Sequence, residues 1–484
     1  MQTLDLKEYG EVKEIKNFIV KVSGLDNCMN SQIVHFGYDT EGMVVGFDED
    51  YASILIIKSK GEIKPGDKVF SRIETFKLPV GDEFIGRVIN AICEPQDAKG
   101  KIAPQDYYPV FNRATAVLDR SPIEDILETG IKIIDQAIPI GKGQRELIVG
   151  DRQTGKTAIA VDAILNQKGK NVICVYCCIG KPISSLMKVL RIFEENAAFD
   201  YTIVVSATAA SPLGQQYLAP YTACSLGEYF MRKSKDVLVV FDDLSKHAWA
   251  WREISLLLKR SPGREAYPGD IFYLQSQFME RACKLSPAQG NGSMTFLPIA
   301  EILQGDVTGY IPSNLISMTD GQIYLNTNLF KEGFKPAIDL GLSVSRIGNK
   351  VQWPAIRSLS RMLRLEYIKL KELEGLTKLK LGISDEIKSQ MHKYNVLREL
   401  LKQANNSPVA METQVIILYA LRKGLLDSVE IKQVKVFKED IYGFVKQFNP
   451  RLLEDLLKEK DLTPHIQEGL DGVLAGYFAQ NKTE

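Results

Sequence analysis

Apolar and polar positions follow three different rules along this chain. Up to about residue 74 the apolar residues come in short β-rich runs, Ile19-Val-Lys-Val22, Gly42-Met-Val-Val-Gly-Phe47 and Ser53-Ile-Leu-Ile-Ile57, with turns at Gly24-Leu-Asp26 and Gly66-Asp67. Short strands at this density, with no helical period between them, predict a small barrel. From about 75 to 355, compact apolar runs alternate with helical patterns: Glu146-Leu-Ile-Val149, Val172-Ile-Cys-Val175, Thr202-Ile-Val-Val-Ser206 and Val237-Leu-Val-Val-Phe241, with Thr157 to Leu165 helical between the first two. Nearly continuous apolar runs fit strands of a parallel sheet covered on both faces, joined by right-handed crossovers. From 356 onward Gly and Pro thin out, and Ile356 to Leu376, Ser384 to Gln403 and Ser407 to Lys423 read as amphipathic helices, with shorter ones after them. The expected layout is multidomain: a β-barrel over 1–74, an α/β nucleotide-binding domain over 75–355 and a helical bundle over 356–484. A chain of 484 residues at roughly 150 residues per domain agrees with three parts.

Charge narrows the function. The 60 Lys and Arg residues cancel the 60 Asp and Glu residues, which argues against a protein that coats nucleic acid or an anionic membrane by bulk charge. Cys174, Cys177 and Cys178 lie inside an apolar run, and the four histidines, His35, His247, His392 and His465, are far apart. A buried strand with small sulfur side chains explains that cluster better than zinc or redox chemistry, and the odd total of seven Cys implies a reducing compartment. No apolar run approaches the ~20 residues needed to span a bilayer, so any membrane role is peripheral. The polar, acidic start, Met1 to Gly10, is neither a signal nor a transit peptide.

One motif carries chemistry. Gly150-Asp-Arg-Gln-Thr-Gly-Lys-Thr157 fits G-x-x-x-x-G-K-[ST] at every fixed position, with an apolar strand before it and an Ala/Ile-rich helix after it. Glycines let successive backbone N–H groups point at phosphate oxygens, and the helix N-terminus adds a favourable dipole. Lys156 is expected to reach the β- and γ-phosphates and Thr157 to sit on Mg²⁺. A carboxylate at the end of a neighbouring strand completes such a metal site, and Asp242 of the run Val237 to Asp243 is the better candidate of the two aspartates there.

At these residues the chain resembles the alpha subunit of the F-type rotary ATP synthase. The phosphate-loop octet is of the alpha type. Ser261-Pro-Gly-Arg-Glu-Ala-Tyr-Pro-Gly-Asp270, Gly305-Asp-Val-Thr-Gly-Tyr-Ile-Pro312, Ile316-Ser-Met-Thr-Asp-Gly-Gln322 and Pro336-Ala-Ile-Asp-Leu-Gly-Leu-Ser-Val-Ser345 are similar to family segments as well. The resemblance runs from about residue 10 to 478 and implies a six-stranded barrel, a RecA-like nucleotide-binding domain and a C-terminal helical bundle.

The resemblance also implies roles. Arg152, Gln153, Thr154, Gly155, Lys156 and Thr157 would cradle the phosphates of ATP or ADP, and Phe330, Pro336, Gln403 and Asn405 would line the adenine side. Thr157 and Asp242 would hold Mg²⁺, and Arg346, directly after the 336–345 segment, would be an arginine finger acting on a neighbour's nucleotide. The chain departs from the family in Asn405, a shorter substitute, in Lys335, where an arginine is usual, and above all in Ile179-Gly-Lys181-Pro-Ile-Ser184. In catalytic beta chains a glutamate at that last place activates the attacking water, and alpha chains usually carry glutamine in a basic context. Lys181 as an ammonium cannot accept a proton, so the chain is expected to bind Mg-ATP without turning it over.

The partners implied are a beta-like catalytic subunit in an alternating three-plus-three ring, a gamma-like central stalk, and peripheral-stalk and membrane-sector subunits. No nucleic acid is implied. The expected location is the cytoplasmic side of a membrane, or the cytoplasm for a soluble motor. Alpha subunits usually begin with a helical segment that docks the peripheral stalk, whereas this chain enters its barrel almost at once. That departure keeps open an alpha-like subunit of a rotary motor not used for ATP synthesis. A homohexameric export-type ATPase would need its own catalytic glutamate where Lys181 stands. A ring-shaped RNA translocase would need a basic, aromatic barrel, and the first 74 residues are not notably basic.

Overall fold

A computed structural model describes residues 7–72, 75–377 and 385–480. The first six strands are β1 (Lys7–Lys16), β2 (Ile19–Ser23), β3 (Ile33–Phe36), β4 (Thr40–Phe47), β5 (Ala52–Lys58) and β6 (Lys68–Arg72). They close into a barrel in the order β1-β2-β5-β4-β3-β6, sealed by antiparallel pairing of β1 with β6 from Lys7 opposite Arg72 to Glu11 opposite Lys68. Side chains alternate across each strand, so Val12, Val20, Val22, Val34, Val44, Ile54, Ile56 and Val69 meet in one interior. The apolar runs of the sequence locate β2, β4 and β5. Strand β1 escapes that reading because its sequence, KEYGEVKEIK, turns mostly charged side chains outward and buries only Val12 among its described side chains.

Residues 73–74, at the expected barrel boundary, lie outside the described residues, as do Met1 to Leu6 and the expected helix start at Ser384. Beyond the barrel, β7 (Lys77–Val80), β8 (Val88–Ile89) and β9 (Asp106–Pro109) follow; β7 and β9 form a separate antiparallel ribbon. The central sheet takes in β8 and then β10 (Leu147–Gly150), β11 (Val172–Ile179), β12 (Thr202–Ala207), β13 (Asp236–Asp242), β14 (Cys283–Lys284), β15 (Ser293–Glu301), β16 (Gly321–Leu325) and β17 (Val344–Ser345). Its order is β17-β16-β10-β15-β13-β11-β12-β8, with β14 paired to β15 outside that path. All neighbours are parallel except β17 on β16 and β14 on β15.

The helices of this domain cover both faces: α1 (Lys132–Ala137), α2 (Lys156–Leu165), α3 (Ile183–Glu195), α4 (Leu213–Arg232), α5 (Leu244–Leu257), α6 (Ile271–Met279), α7 (Tyr310–Met318) and α8 (Thr327–Lys331). Alternation along β11 sends Cys174, Tyr176 and Cys178 into the core shared with α2 and α3, and Val175, Cys177 and Ile179 into the core shared with α4 and α5. Two covered faces explain why these strands read as unbroken apolar runs. All seven cysteines are unpaired and buried, and burial raises the thiol of each of the three on β11 above its ordinary pKa.

The regular structure of the described C-terminal part is helical: α9 (Pro354–Ser360), α10 (Leu363–Thr377), α11 (Asp385–Leu401), α12 (Met411–Arg422), α13 (Ile431–Phe448), α14 (Pro450–Glu459) and α15 (Pro464–Gln480). The single helix expected from Ile356 to Leu376 is two, broken at Arg361-Met362. The helix expected from Ser407 begins only at Met411, because Pro408 restrains the residues before it and Ala410 is still extended. Residues 402–410 form the non-helical connection between α11 and α12, and it reaches the nucleotide-binding domain. Val409 N–H donates to Gly130 O at 2.8 Å, and Asn406 N–H donates to an Asp162 carboxylate oxygen at 2.7 Å.

Candidate nucleotide site

Strand β10 ends at Gly150, and the chain turns through Asp151 to Thr154 into α2. Gly155, the residue before α2, has φ 101°, in the left-handed region that glycine enters without a Cβ penalty. The loop is tied down on both sides. Asp151 accepts from Gly305 N–H at 2.9 Å and from the Thr327 hydroxyl at 2.6 Å, and the Thr154 hydroxyl donates to Asp151 O at 2.8 Å. Lys156 Nζ donates to Gly150 O at 2.9 Å and to Asp151 O at 2.5 Å, so its ammonium lies within the turn. Burial lowers its pKa from the ordinary lysine value, against the pull of Glu301, Asp243 and Asp242.

A cleft opens beside this turn. Gln153, Thr154 and Gly155 form one wall, Phe330, Pro336 and the 403–405 segment the others, with Asp162 of α2 at its side. Seven of the residues expected from the sequence (Gln153, Thr154, Gly155, Phe330, Pro336, Gln403 and Asn405) therefore line one space, although they come from three separate stretches of chain. Lys335 lies with Nζ 4.8 Å from the centroid of the Phe330 ring, a cation–π contact that covers one face of that ring. Gln403 is held by the scaffold: its Oε1 accepts from Lys132 N–H at 3.0 Å, and its Nε2 donates to Gly130 O at 2.7 Å and to Ser407 O at 2.8 Å. Arg152 does not line this cleft; it is exposed and bonded through Nε to Glu301 at 3.2 Å.

The metal-side groups converge from β11, β13 and α2. Thr157 Oγ1 donates to Asp242 Oδ2 at 2.8 Å, and the buried Tyr176 hydroxyl donates to the same oxygen at 2.7 Å. Lys181, on the loop after β11, donates to Thr157 Oγ1 at 2.7 Å and lies 2.6 Å from Asp242 Oδ1. That second contact is an ion pair by proximity and not an aligned hydrogen bond, which leaves Oδ1 buried without a hydrogen-bond donor. The adjacent carboxylate is occupied elsewhere, since Asp243 caps α5 by accepting from Lys246 N–H at 2.8 Å. Burial, followed by the charge of Asp242, pushes Asp243 up to about 7. Sequence reading does not single out Tyr176; its place in the β11 alternation, two residues from Cys174 and Cys178, is the signal that puts it on the α2 side.

A hard-oxygen ion such as Mg²⁺ takes carboxylate and hydroxyl donors and fills the rest of its shell with water and phosphate oxygens. Thr157 Oγ1 and Asp242 Oδ1, which accepts no hydrogen bond, fit that chemistry, while the Lys181 ammonium lies against both donors.

Arg346 lies at the other end of the sheet. Its N–H donates to Asp320 O at 2.8 Å, next to Ser345, which pairs with Gly321 at the start of β16. Gly150 is level with Leu325 at the far end of that strand. The five steps from Asp320 to Leu325 correspond to roughly 16 Å along the sheet at ~3.3 Å per residue. Arg346 is exposed, and its side chain makes no hydrogen bond or ion pair with any described residue.

The architecture is thus that of a barrel-capped, phosphate-loop nucleotide-binding subunit with a helical C-terminal domain. The ATP synthase alpha/beta family matches it in three consecutive pieces: the beta-barrel domain over residues 5–71, the nucleotide-binding domain over 130–345 and the C-terminal domain over 352–477. The chain belongs to that family. It is 46% identical over 474 residues to the ATP synthase subunit alpha of Clostridium acetobutylicum, covering 98% of this chain and 94% of that protein. It is 43% identical to the alpha subunit of Petrotoga mobilis (98% and 95% covered) and 44% identical to that of Helicobacter pylori (97% and 93% covered). The resemblance to alpha subunits read from the motifs is borne out over nearly the full length. Among the described residues no helix is long and apolar enough to cross a membrane.

Proposed function

We propose that this chain is a non-catalytic, regulatory nucleotide-binding alpha subunit of an F-type rotary ATPase head, and that it lends Arg346 to the catalytic site of an adjacent beta-like subunit. It takes ATP or ADP in the cleft beside Gly150–Thr157, with the phosphates on the loop amides and Lys156 and the base between Phe330, Pro336 and the 403–405 segment. Thr157 and Asp242 are the oxygen donors available to Mg²⁺, which would supply charge neutralisation to the phosphates. The ring is an alternating one of three such chains and three beta-like chains around a gamma-like stalk, attached to a membrane sector from the cytoplasmic side.

The observation that carries the non-catalytic assignment is the position of Lys181. Hydrolysis needs a group that accepts a proton from, or orients, the attacking water. At the place where the family's catalytic chains put that group, this chain has an ammonium paired with Asp242. The purified chain alone is expected to bind ATP in a calorimetric titration and to release no phosphate above background. Robust turnover that persists after removal of every partner chain would overturn the assignment.

A further inference from the structure

We propose that Lys181 is a tethered cation that competes with the divalent ion for this site, so that nucleotide binds the chain with little dependence on Mg²⁺. The proposal rests on the reading of the phosphate loop as a nucleotide site and specifies which cation accompanies the nucleotide there.

Three groups form a closed cycle. Lys181 donates to Thr157 Oγ1 at 2.7 Å, Thr157 donates to Asp242 Oδ2 at 2.8 Å, and the Lys181 ammonium returns to Asp242 Oδ1 at 2.6 Å. Asp242 is wholly buried, with no exposed surface. A buried carboxylate needs a cation beside it, because leaving its charge unpaired costs more than leaving a neutral polar group without its hydrogen bond. Either Mg²⁺ or an ammonium meets that need, but not both at once: each would sit against Thr157 Oγ1 and Asp242 Oδ1.

The tether favours the ammonium. Gly180 N–H donates to Ala207 O at 2.7 Å and Ala209 N–H donates to Lys181 O at 2.9 Å, so the backbone that carries the side chain is pinned to the strand end of β12. An intramolecular group held this way acts at an effective concentration of millimolar or higher, whatever the concentration of free ion. Only the distal part of the side chain has to move for a metal to enter, and it must then release both Thr157 and Asp242. With Lys156 rooted in the same turn, two ammonium groups flank the phosphate position, one of which replaces the metal's charge in part. A glutamine at 181 would be neutral and would leave Asp242 without a directly paired cation until an ion bound, Lys156 acting on it only from farther off.

The test is nucleotide affinity of the purified full-length chain, measured by calorimetry with ATP in excess Mg²⁺ and again in EDTA, for the wild type, Lys181→Gln and Lys181→Met. The wild type is expected to change by less than about threefold between the two conditions. Each variant should bind about tenfold or more weakly in EDTA than in Mg²⁺, the scale of one charge-assisted hydrogen bond. Manganese added to the nucleotide-bound chain and followed by electron paramagnetic resonance should bind more tightly to the variants than to the wild type. A wild type that loses tenfold or more in EDTA overturns the proposal by itself, whether or not the variants fold. Absence of ATP binding in both conditions, by a chain with an intact thermal transition, overturns the nucleotide reading and the proposal with it.

Discussion

Exchanging Arg346 for lysine is expected to cut ATP hydrolysis by the assembled ring roughly a thousandfold or more, the range in which arginine fingers act on phosphoryl transfer. The expectation follows from where Arg346 stands. It lies at the end of β16 opposite the phosphate loop, too far along the sheet for its guanidinium to reach this chain's own nucleotide, and its side chain has no hydrogen-bond or ion-pair partner among the described residues, the charge of buried Glu146 acting on it only from a distance. A guanidinium is always charged and presents a planar fork of donors, which matches the equatorial oxygens of a phosphoryl group in transfer. Lysine keeps the charge and loses the fork, and in a closed interface with little water that loss falls on the transition state. Ring assembly, followed by size-exclusion chromatography, and ATP affinity of the isolated chain should both hold. A ring that assembles with Arg346→Lys and hydrolyses ATP near the wild-type rate would leave Arg346 with a structural role only.

Lys156→Ala should weaken ATP binding by the isolated chain roughly 10- to 100-fold, which is what removal of a charge-assisted hydrogen bond to phosphate amounts to. The lysine sits at the start of α2 with Nζ already inside the turn that the loop amides define, bonded to Gly150 O and Asp151 O. On this proposal, binding would exchange those two carbonyls for phosphate oxygens with little movement of the ammonium. The truncation also leaves both carbonyls without that donor, and a thermal melt beside the titration separates a missing phosphate ligand from a loosened loop. Affinity within twofold of the wild type would show that the phosphates do not lie on this loop.

Much of this architecture is legible in the sequence, for identifiable reasons. The runs that form β10, β11, β12 and β13 are apolar on both faces because helices cover both sides of the sheet, and the phosphate-loop octet fixes its own local geometry through its glycines. Strand β1 is hidden because a barrel strand that buries one valine and exposes alternating charges has little apolar signature. The start of α12 lies four residues beyond its expected place because Pro408 and the hydrogen bonds of 406–409 with the neighbouring domain override the helical pattern. The site divides in the same way. Lys156, Thr157 and Asp242 follow from the motif and from the strand end. The commitment of the Gln403 amide to Lys132 and Gly130 joins segments more than 270 residues apart, and no local pattern announces it. The placement of Lys181 against Thr157 and Asp242 is likewise tertiary: the sequence shows that the usual side chain is missing, and only the fold shows what the replacement touches.

The central claim is that this chain holds nucleotide while a neighbour turns it over. The most direct measurement is the fate of labelled ATP in the working ring. The purified chain is loaded with γ-labelled ATP, assembled with its unlabelled catalytic partner, and supplied with excess unlabelled ATP. Through many turnovers of the ring, the label should remain on the chain as intact ATP. Release of labelled phosphate at the turnover rate of the ring would contradict the account.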